Sequence, residues 1–193
     1  MTRREIRLAA EKFLNEHAPN RGLPVDIEAI ADIKLGIEVR PLPGLYRAFG
    51  RNGILLSSGK VIAVDNDDYE SYQTRFRFTL AHEIGHIVLH EDYVEAVSLD
   101  DVAQAWKQYA DLPPEDMAEM ERDANIFAGF VLVPNRELRQ QLEVVRQKIL
   151  SEHRVDINGK GTEVRDGVAK AMADAFDVSP NVVGRRLEEE GLP

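Results

Sequence analysis

Cysteine is absent from the 193 residues, which excludes a disulfide framework and any thiolate-ligated metal. A metal in this protein must be held by histidine and carboxylate. Positive charge is also scarce: 24 Lys and Arg face 34 Asp and Glu, a formal net charge of −10. An acidic surface repels phosphate backbones, so direct nucleic-acid binding is not expected without a local basic patch. Long apolar runs are missing too. The most apolar stretch, Ile126 to Val133, is far too short to cross a bilayer. The opening Met1-Thr-Arg-Arg-Glu-Ile-Arg carries no apolar core of signal-peptide type. A cytoplasmic, unanchored protein is expected, and no internal repeat or low-complexity run complicates the reading.

What is present describes a globular chain, 44% hydrophobic and 30% charged, of a size for one domain or one domain plus a small appendage. Thr2 to Glu16 has helical periodicity, with Ile6, Ala9, Ala10, Phe13 and Leu14 on one face. Asp26 is placed to cap a short helix through Ile33. From Ile37 to Asp65, short apolar runs alternate with Pro-Gly, Asn-Gly and Ser-Gly turn signals, predicting a small antiparallel β-meander with a hairpin turn at Arg51-Asn52-Gly53. Asp65-Asn66-Asp67-Asp68 fails the calcium-loop spacing, since Glu70 stands where glycine belongs, and predicts a capped turn into a helix. A long helix is expected over Ser71 to His90, loop with some helix over Glu95 to Asp111, and a second long helix from Pro114 to Leu132. Asn135 to Ser151 reads as a charged helix, His153 to Thr162 as a linker, and Val164 to Phe176 and Pro180 to Glu190 as two short helices. The class is therefore α+β, with a main domain over 1–152 and a small C-terminal helical segment over 153–193.

Chemistry concentrates in Ala81-His82-Glu83-Ile84-Gly85-His86. On a helix, His82 and His86 lie about 40° apart around the axis and one turn apart along it, so both imidazoles can reach one zinc at about 2.0–2.1 Å. Glu83 lies roughly 60° beyond His86, better placed to touch a water activated by the metal than the metal itself. That geometry suits a carboxylate taking a proton as the water attacks a carbonyl. Leu80, Ile84, Ile87 and Val88 form an apolar face on the opposite side, and Gly85 leaves room beside the histidines for a neighbouring chain or a substrate.

A catalytic zinc takes three protein ligands and keeps one position open. His90 stands about 12 Å along the axis from His82 on a continuous helix, out of reach of the same metal, and is expected to serve the helix end. His17 and His153 lie in polar sequence without supporting context. On the second long helix, Met117, Met120, Ala124, Phe127, Ala128 and Val131 form an apolar stripe; Glu115, Glu119 and Asp123 fall well off it, on the solvent side. Asp116 sits in the first turn, where the helix dipole explains it. Glu121 is mid-helix at the stripe's edge, where a half-buried carboxylate needs a metal or an ion-pair partner such as Arg75 or Arg77. Spacing leaves both alternatives open.

Arg77-Phe-Thr-Leu-Ala-His-Glu-Ile-Gly-His86 and Glu121-Arg-Asp-Ala-Asn-Ile-Phe-Ala-Gly-Phe-Val-Leu-Val-Pro134 resemble the two signature blocks of ImmA/IrrE-type zinc metallopeptidases. The resemblance implies a zincin-like fold of gluzincin type, with His82, His86 and Glu121 as zinc ligands and Glu83 as the catalytic glutamate. It also implies a protein substrate, a helix-turn-helix repressor encoded nearby whose cleavage induces stress-response or mobile-element genes. Where the family commonly ends in Leu-Leu-Met-Pro, this chain has Val131-Leu-Val-Pro, a conservative departure that touches no ligand. Zincin-like folds place substrate antiparallel to an edge strand, which the meander could supply. Tyr93 and the arginines before the motif are the candidates for steadying the oxyanion.

The tail from Val168 to Leu187 has the rhythm of a helix-turn-helix, in which Arg185 and Arg186 would be the only positive contacts of the second helix. The segment is itself acidic, and a packing role or a platform for a protein partner suits it better than duplex DNA. The rival functional reading is a DNA-binding or protein-interaction regulator with a non-catalytic zinc site. Glu83 argues against it, because a structural site fills its fourth position with protein and needs no carboxylate beside a water.

Overall fold

The computed structural model describes residues 1–154, 157 and 161–193. Helix α1 (Arg3–His17) starts at a reciprocal capping box: the Glu5 N–H donates to the Thr2 hydroxyl and the Thr2 N–H to the Glu5 carboxylate. Its predicted face is buried through Ile6, Ala10, Phe13 and Leu14. Asp26 caps the short α2 (Ile27–Ala29), which runs on as a π-helical turn over Ile30–Lys34.

The β region departs from the expected meander. Strands β1 (Glu38–Leu42), β2 (Gly53–Leu56) and β3 (Val61–Asp65) lie in the order β1-β3-β2, and the sheet is mixed: β1 pairs parallel with β3, Glu38 opposite Val61, while β2 pairs antiparallel. The cause is Leu45–Phe49, an apolar run that forms helix α3 instead of a strand. The Asp65 carboxylate accepts the Tyr46 N–H at 2.8 Å, capping α3 from the far end of β3, a contact invisible to local sequence. With α3 inserted, the chain passes over the sheet before β2 and leaves β3 in the middle. Arg51-Asn52-Gly53 is consequently no hairpin turn; the β2–β3 turn is Ser57–Gly59.

Asp65 also caps α4 (Asn66–Ser71), as predicted for that acidic cluster. There follow α5 (Gln73–Leu89), α6 (Glu91–Ala96), α7 (Val102–Ala110), α8 (Pro114–Leu132) and α9 (Asn135–His153). Helix α5 packs along α8, and α1 covers α8 from the other side. Leu80 and Ile84 are fully buried, whereas Val88, expected on the same apolar face, is 39% exposed. Asp123 also differs: it is buried, and its carboxylate pairs with the Met1 amino group at 2.7 Å and with Arg122 at 2.8 Å.

Of the expected linker, residues 155, 156 and 158–160 lie outside the described residues. Helices α10 (Thr162–Phe176) and α11 (Pro180–Glu189) pair with each other and put Met172, Phe176, Val183 and Leu187 into the same apolar cluster as α1, α5 and α8. Arg186 is 1% exposed, lies 4.0 Å over the Phe130 ring and donates to the Val133 carbonyl, so it is a packing residue and Arg185 alone faces outward. No helix among the described residues is long and apolar enough to cross a membrane.

Arg77 ties three distant segments together. Its buried guanidinium donates to the carbonyls of Val25 at 2.7 Å and Asp177 at 3.1 Å and pairs with the Asp177 carboxylate at 3.2 Å. Arg77→Met keeps the stem but orphans these acceptors. It is expected to cost about 3 kcal/mol and to lower Tm by roughly 6–12 °C in calorimetry. A fall of less than 2 °C would contradict this role.

Candidate metal centre

Gly85 decides how close α5 and α8 can come. A Cβ there would sit 3.1 Å from the Phe127 ring and 3.2 Å from both the Cα and the carbonyl oxygen of Ala124. Bare backbone lets α8 lie against the histidine side of α5, so the neighbour that Gly85 makes room for is α8. Glu121, one turn before Ala124, is thereby brought to the histidines.

The side-chain atoms converge. His82 and His86 Nε2 are 3.1 Å apart, His82 Nε2 lies 3.5 Å from Glu121 Oε2, and His86 Nε2 lies 3.4 Å from Glu121 Oε1. Three ligand atoms held at about 2.0–2.1 Å by one tetrahedral ion stand about 3.3–3.4 Å from one another. One ligand atom from each of the three residues lies within 4.8 Å of the other two, with the histidines nearest to different oxygens of Glu121, so the three residues could hold a metal ion. Among the described residues they form the only such group.

Electrostatics supports the same reading. Without a metal, imidazole N–H groups and the Arg51 guanidinium offset the carboxylate of Glu121. Burial by itself disfavours protonated His82, yet hydrogen bonding to Glu121 and the charges of Glu83 and Glu121 raise its pKa above the usual histidine value. Burial likewise pushes Glu121 up, but the hydrogen bonds from His82 and His86, with Arg51 behind them, hold it well below the usual carboxylate range. Glu83 is buried and its carboxyl is raised by desolvation, against the pull of His82 and His86. Its place depends on Gly53: a Cβ on that β2 residue would come within 2.6 Å of Glu83 Oε1 and 2.7 Å of Thr79 Cγ2.

Three supporting residues escape sequence reasoning. Arg51 pairs with Glu121 Oε2 at 2.7 Å and lies over the Tyr109 ring, 4.4 Å from its centroid. The Tyr109 hydroxyl donates to Glu121 Oε1 at 2.8 Å and accepts from Arg51. Arg75 and Arg77, the ion-pair partners expected for Glu121, are engaged with Asp68 and with the carbonyls of Val25 and Asp177. Arg51 is hidden by its place in an apparent turn and Tyr109 by the weak pattern before Pro113. The third is His90, expected to serve the helix end. Its Nδ1 lies 3.1 Å from His86 Nδ1, and burial followed by the charge of His86 lowers its pKa to about 4. It therefore stays neutral, able to accept the His86 Nδ1–H and leave Nε2 free for a metal.

Tyr93 lines the cavity with Glu83, His86 and Glu121, whereas neither Arg75 nor Arg77 does. His17 packs on Phe13 and takes no part; the side chain of His153 lies outside the described residues. β2 is the edge strand, yet its outer side is covered by α7, where Trp106 and Tyr109 leave a cavity of about 20 Å³. A wider cavity, about 190 Å³, opens on the other side beside His82, Glu83, Glu121 and Asn125.

A helix bearing two histidines and a buried glutamate, closed by a carboxylate from its neighbour, is the arrangement of a metallopeptidase. The family comparison agrees: residues 34–188 match the model of the Peptidase M78 family, described as an IrrE N-terminal-like domain, and the chain belongs to that family. Its architecture is an α+β zincin-like domain. A search of curated proteins gives no match.

His90→Ala removes the acceptor from His86. Metal affinity is expected to fall about 10–100-fold, with partial recovery in His90→Asn, in competition titrations against a chromogenic chelator. Unchanged affinity would show that His90 does not position the site.

Proposed function

We propose that this protein is a zinc-dependent endopeptidase of gluzincin type, with His82, His86 and Glu121 as zinc ligands and Glu83 as general base. The single observation that carries the reading is a buried carboxylate beside two imidazoles and a second carboxylate whose ligand atoms lie within 4.8 Å of one another. Zinc suits the donor set of two imidazoles and a carboxylate, and when bound it supplies Lewis acidity and a water of lowered pKa.

The chain's own residues do the rest. Glu83 takes a proton from the attacking water and delivers it to the departing amine. Its environment suits that exchange, because desolvation raises its pKa above the usual carboxylate value and so makes it a stronger base. Arg51 and Tyr109 hold the two oxygens of Glu121 so that the carboxylate does not rotate when the metal arrives. Tyr93, which lines the cavity with Glu83 and His86 and is not engaged with Glu121, is the candidate to donate a hydrogen bond to the developing oxyanion. The resemblance of the two signature blocks supports a protein substrate, and within that a helix-turn-helix repressor. The acidic surface and the burial of Arg186 favour a protein partner over DNA.

Glu83→Gln keeps the size of the side chain and removes its basicity. With zinc content measured on the same sample, it is expected to bind zinc as wild type does and to lose about 10²–10⁴-fold in cleavage of a co-expressed repressor partner. Equal cleavage by the two proteins would defeat the mechanism. Tight partner binding without cleavage by either would favour the interaction-protein reading.

A further inference from the structure

One open cleft beside the candidate centre runs towards the C-terminal helices. It measures about 580 Å³ and lies between the start of α5, the middle of α8 and one face of α11, a volume in the ordinary range for a ligand site. It adjoins the catalytic cavity: Phe78 and Asn125 line both it and the 190 Å³ space beside His82, Glu83 and Glu121. A polypeptide whose scissile bond lies at Glu83 is covered on the α7 side and can extend into this adjoining cleft on another.

The chemistry of the cleft points to an acidic occupant. Among the described residues, the side chains of Thr74, Ser179, Asn181 and Arg185, all lining it, have no hydrogen-bond or ion-pair partner within the protein. The charges nearby are already matched: Glu189 is held by Arg3 at 3.1 Å and by Arg186 at 2.7 Å, and Arg75 by Asp68 at 3.0 Å. Arg185 is left as the one uncompensated charge on the wall, exposed on a protein of net charge −10. Asn181 and Arg185 are four residues apart on α11 and share a face. Both α5 and α11 also begin at the cleft without a side-chain cap, which adds partial positive charge there.

Building on the peptidase reading, we propose that this cleft binds the substrate polypeptide on one side of the scissile bond, and that Arg185 selects an acidic side chain within a few residues of the cut. The C-terminal helical pair then serves as a wall of the substrate site, which accounts for a helix-turn-helix-like tail that lacks a basic face.

The test uses the full chain loaded with zinc and a peptide library made by digesting a bacterial proteome, with new termini read by mass spectrometry. Wild type is expected to cut with Asp or Glu enriched at a fixed distance on one side. Arg185→Lys should keep that enrichment, and Arg185→Glu should lose it or turn it towards Lys and Arg. A reading free of catalysis accompanies it: a fluorescein-labelled, glutamate-rich peptide should bind metal-free wild type and bind Arg185→Glu roughly five- to tenfold more weakly by anisotropy. Cleavage without acidic enrichment, or the same enrichment and binding in Arg185→Glu, overturns this inference and leaves the peptidase reading standing. No cleavage of any peptide by wild type overturns both. Displacement of the peptide by duplex DNA at physiological salt would assign the cleft to nucleic acid and overturn it as well.

Discussion

The site rests on the contact between Gly85 and Ala124. Because residue 85 has no side chain, α5 lies against the Ala124 backbone and the Phe127 ring of α8, close enough for Glu121 to reach two imidazoles one turn apart. Glycine in a helix interior costs roughly 1 kcal/mol against alanine, and here the cost returns as position. A methyl group at residue 85 would sit 3.1–3.2 Å from the Phe127 ring and the Ala124 backbone, so α8 would have to give by a few tenths of an ångström. The same economy recurs at Gly53, where β2 comes so close to Glu83 that a methyl group has no room. The sheet, α5 and α8 are thus mutually fixed through two positions without side chains.

Those contacts crowd two carboxylates, one of them buried, beside two imidazoles. The protein offsets this from outside the triangle. Arg51 and Tyr109 neutralise and hold Glu121, and His90 takes the far side of His86. Arg51, stacked on Tyr109 and 5.7 Å from the centre of the Trp106 ring, also links the centre to α7, which closes the outer edge of β2. With one side closed in this way, a polypeptide can extend on another, into the adjoining cleft that α8 and α11 form.

How far the sequence could be read depends on the range of the interactions involved. The helix ends set by Thr2, Asp26, Asp65 and Pro114 depend on neighbours three or four residues away and could be read directly. The juxtaposition of His82, Glu83 and His86 comes from helical geometry alone. The parallel direction of β1 could not be read, because it goes with the Leu45–Phe49 run forming a helix between β1 and β2 where the local pattern suggests a strand. Arg51, Tyr109 and His90 escaped for a related reason: each acts on a residue of the triangle through tertiary placement or a side-chain direction that spacing does not reveal. Asp123, placed at the surface by its helical phase, is buried by an amino group from the other end of the chain.

The central claim is that one metal ion sits on His82, His86 and Glu121. It is tested most directly by an anomalous difference map at the zinc edge from crystals of the zinc-loaded protein. The account predicts one peak per chain, about 2.0–2.2 Å from Nε2 of both histidines and from an oxygen of Glu121, with Glu83 outside the coordination sphere. A peak elsewhere, or one at the histidines with Glu121 turned away towards Arg51, would contradict it.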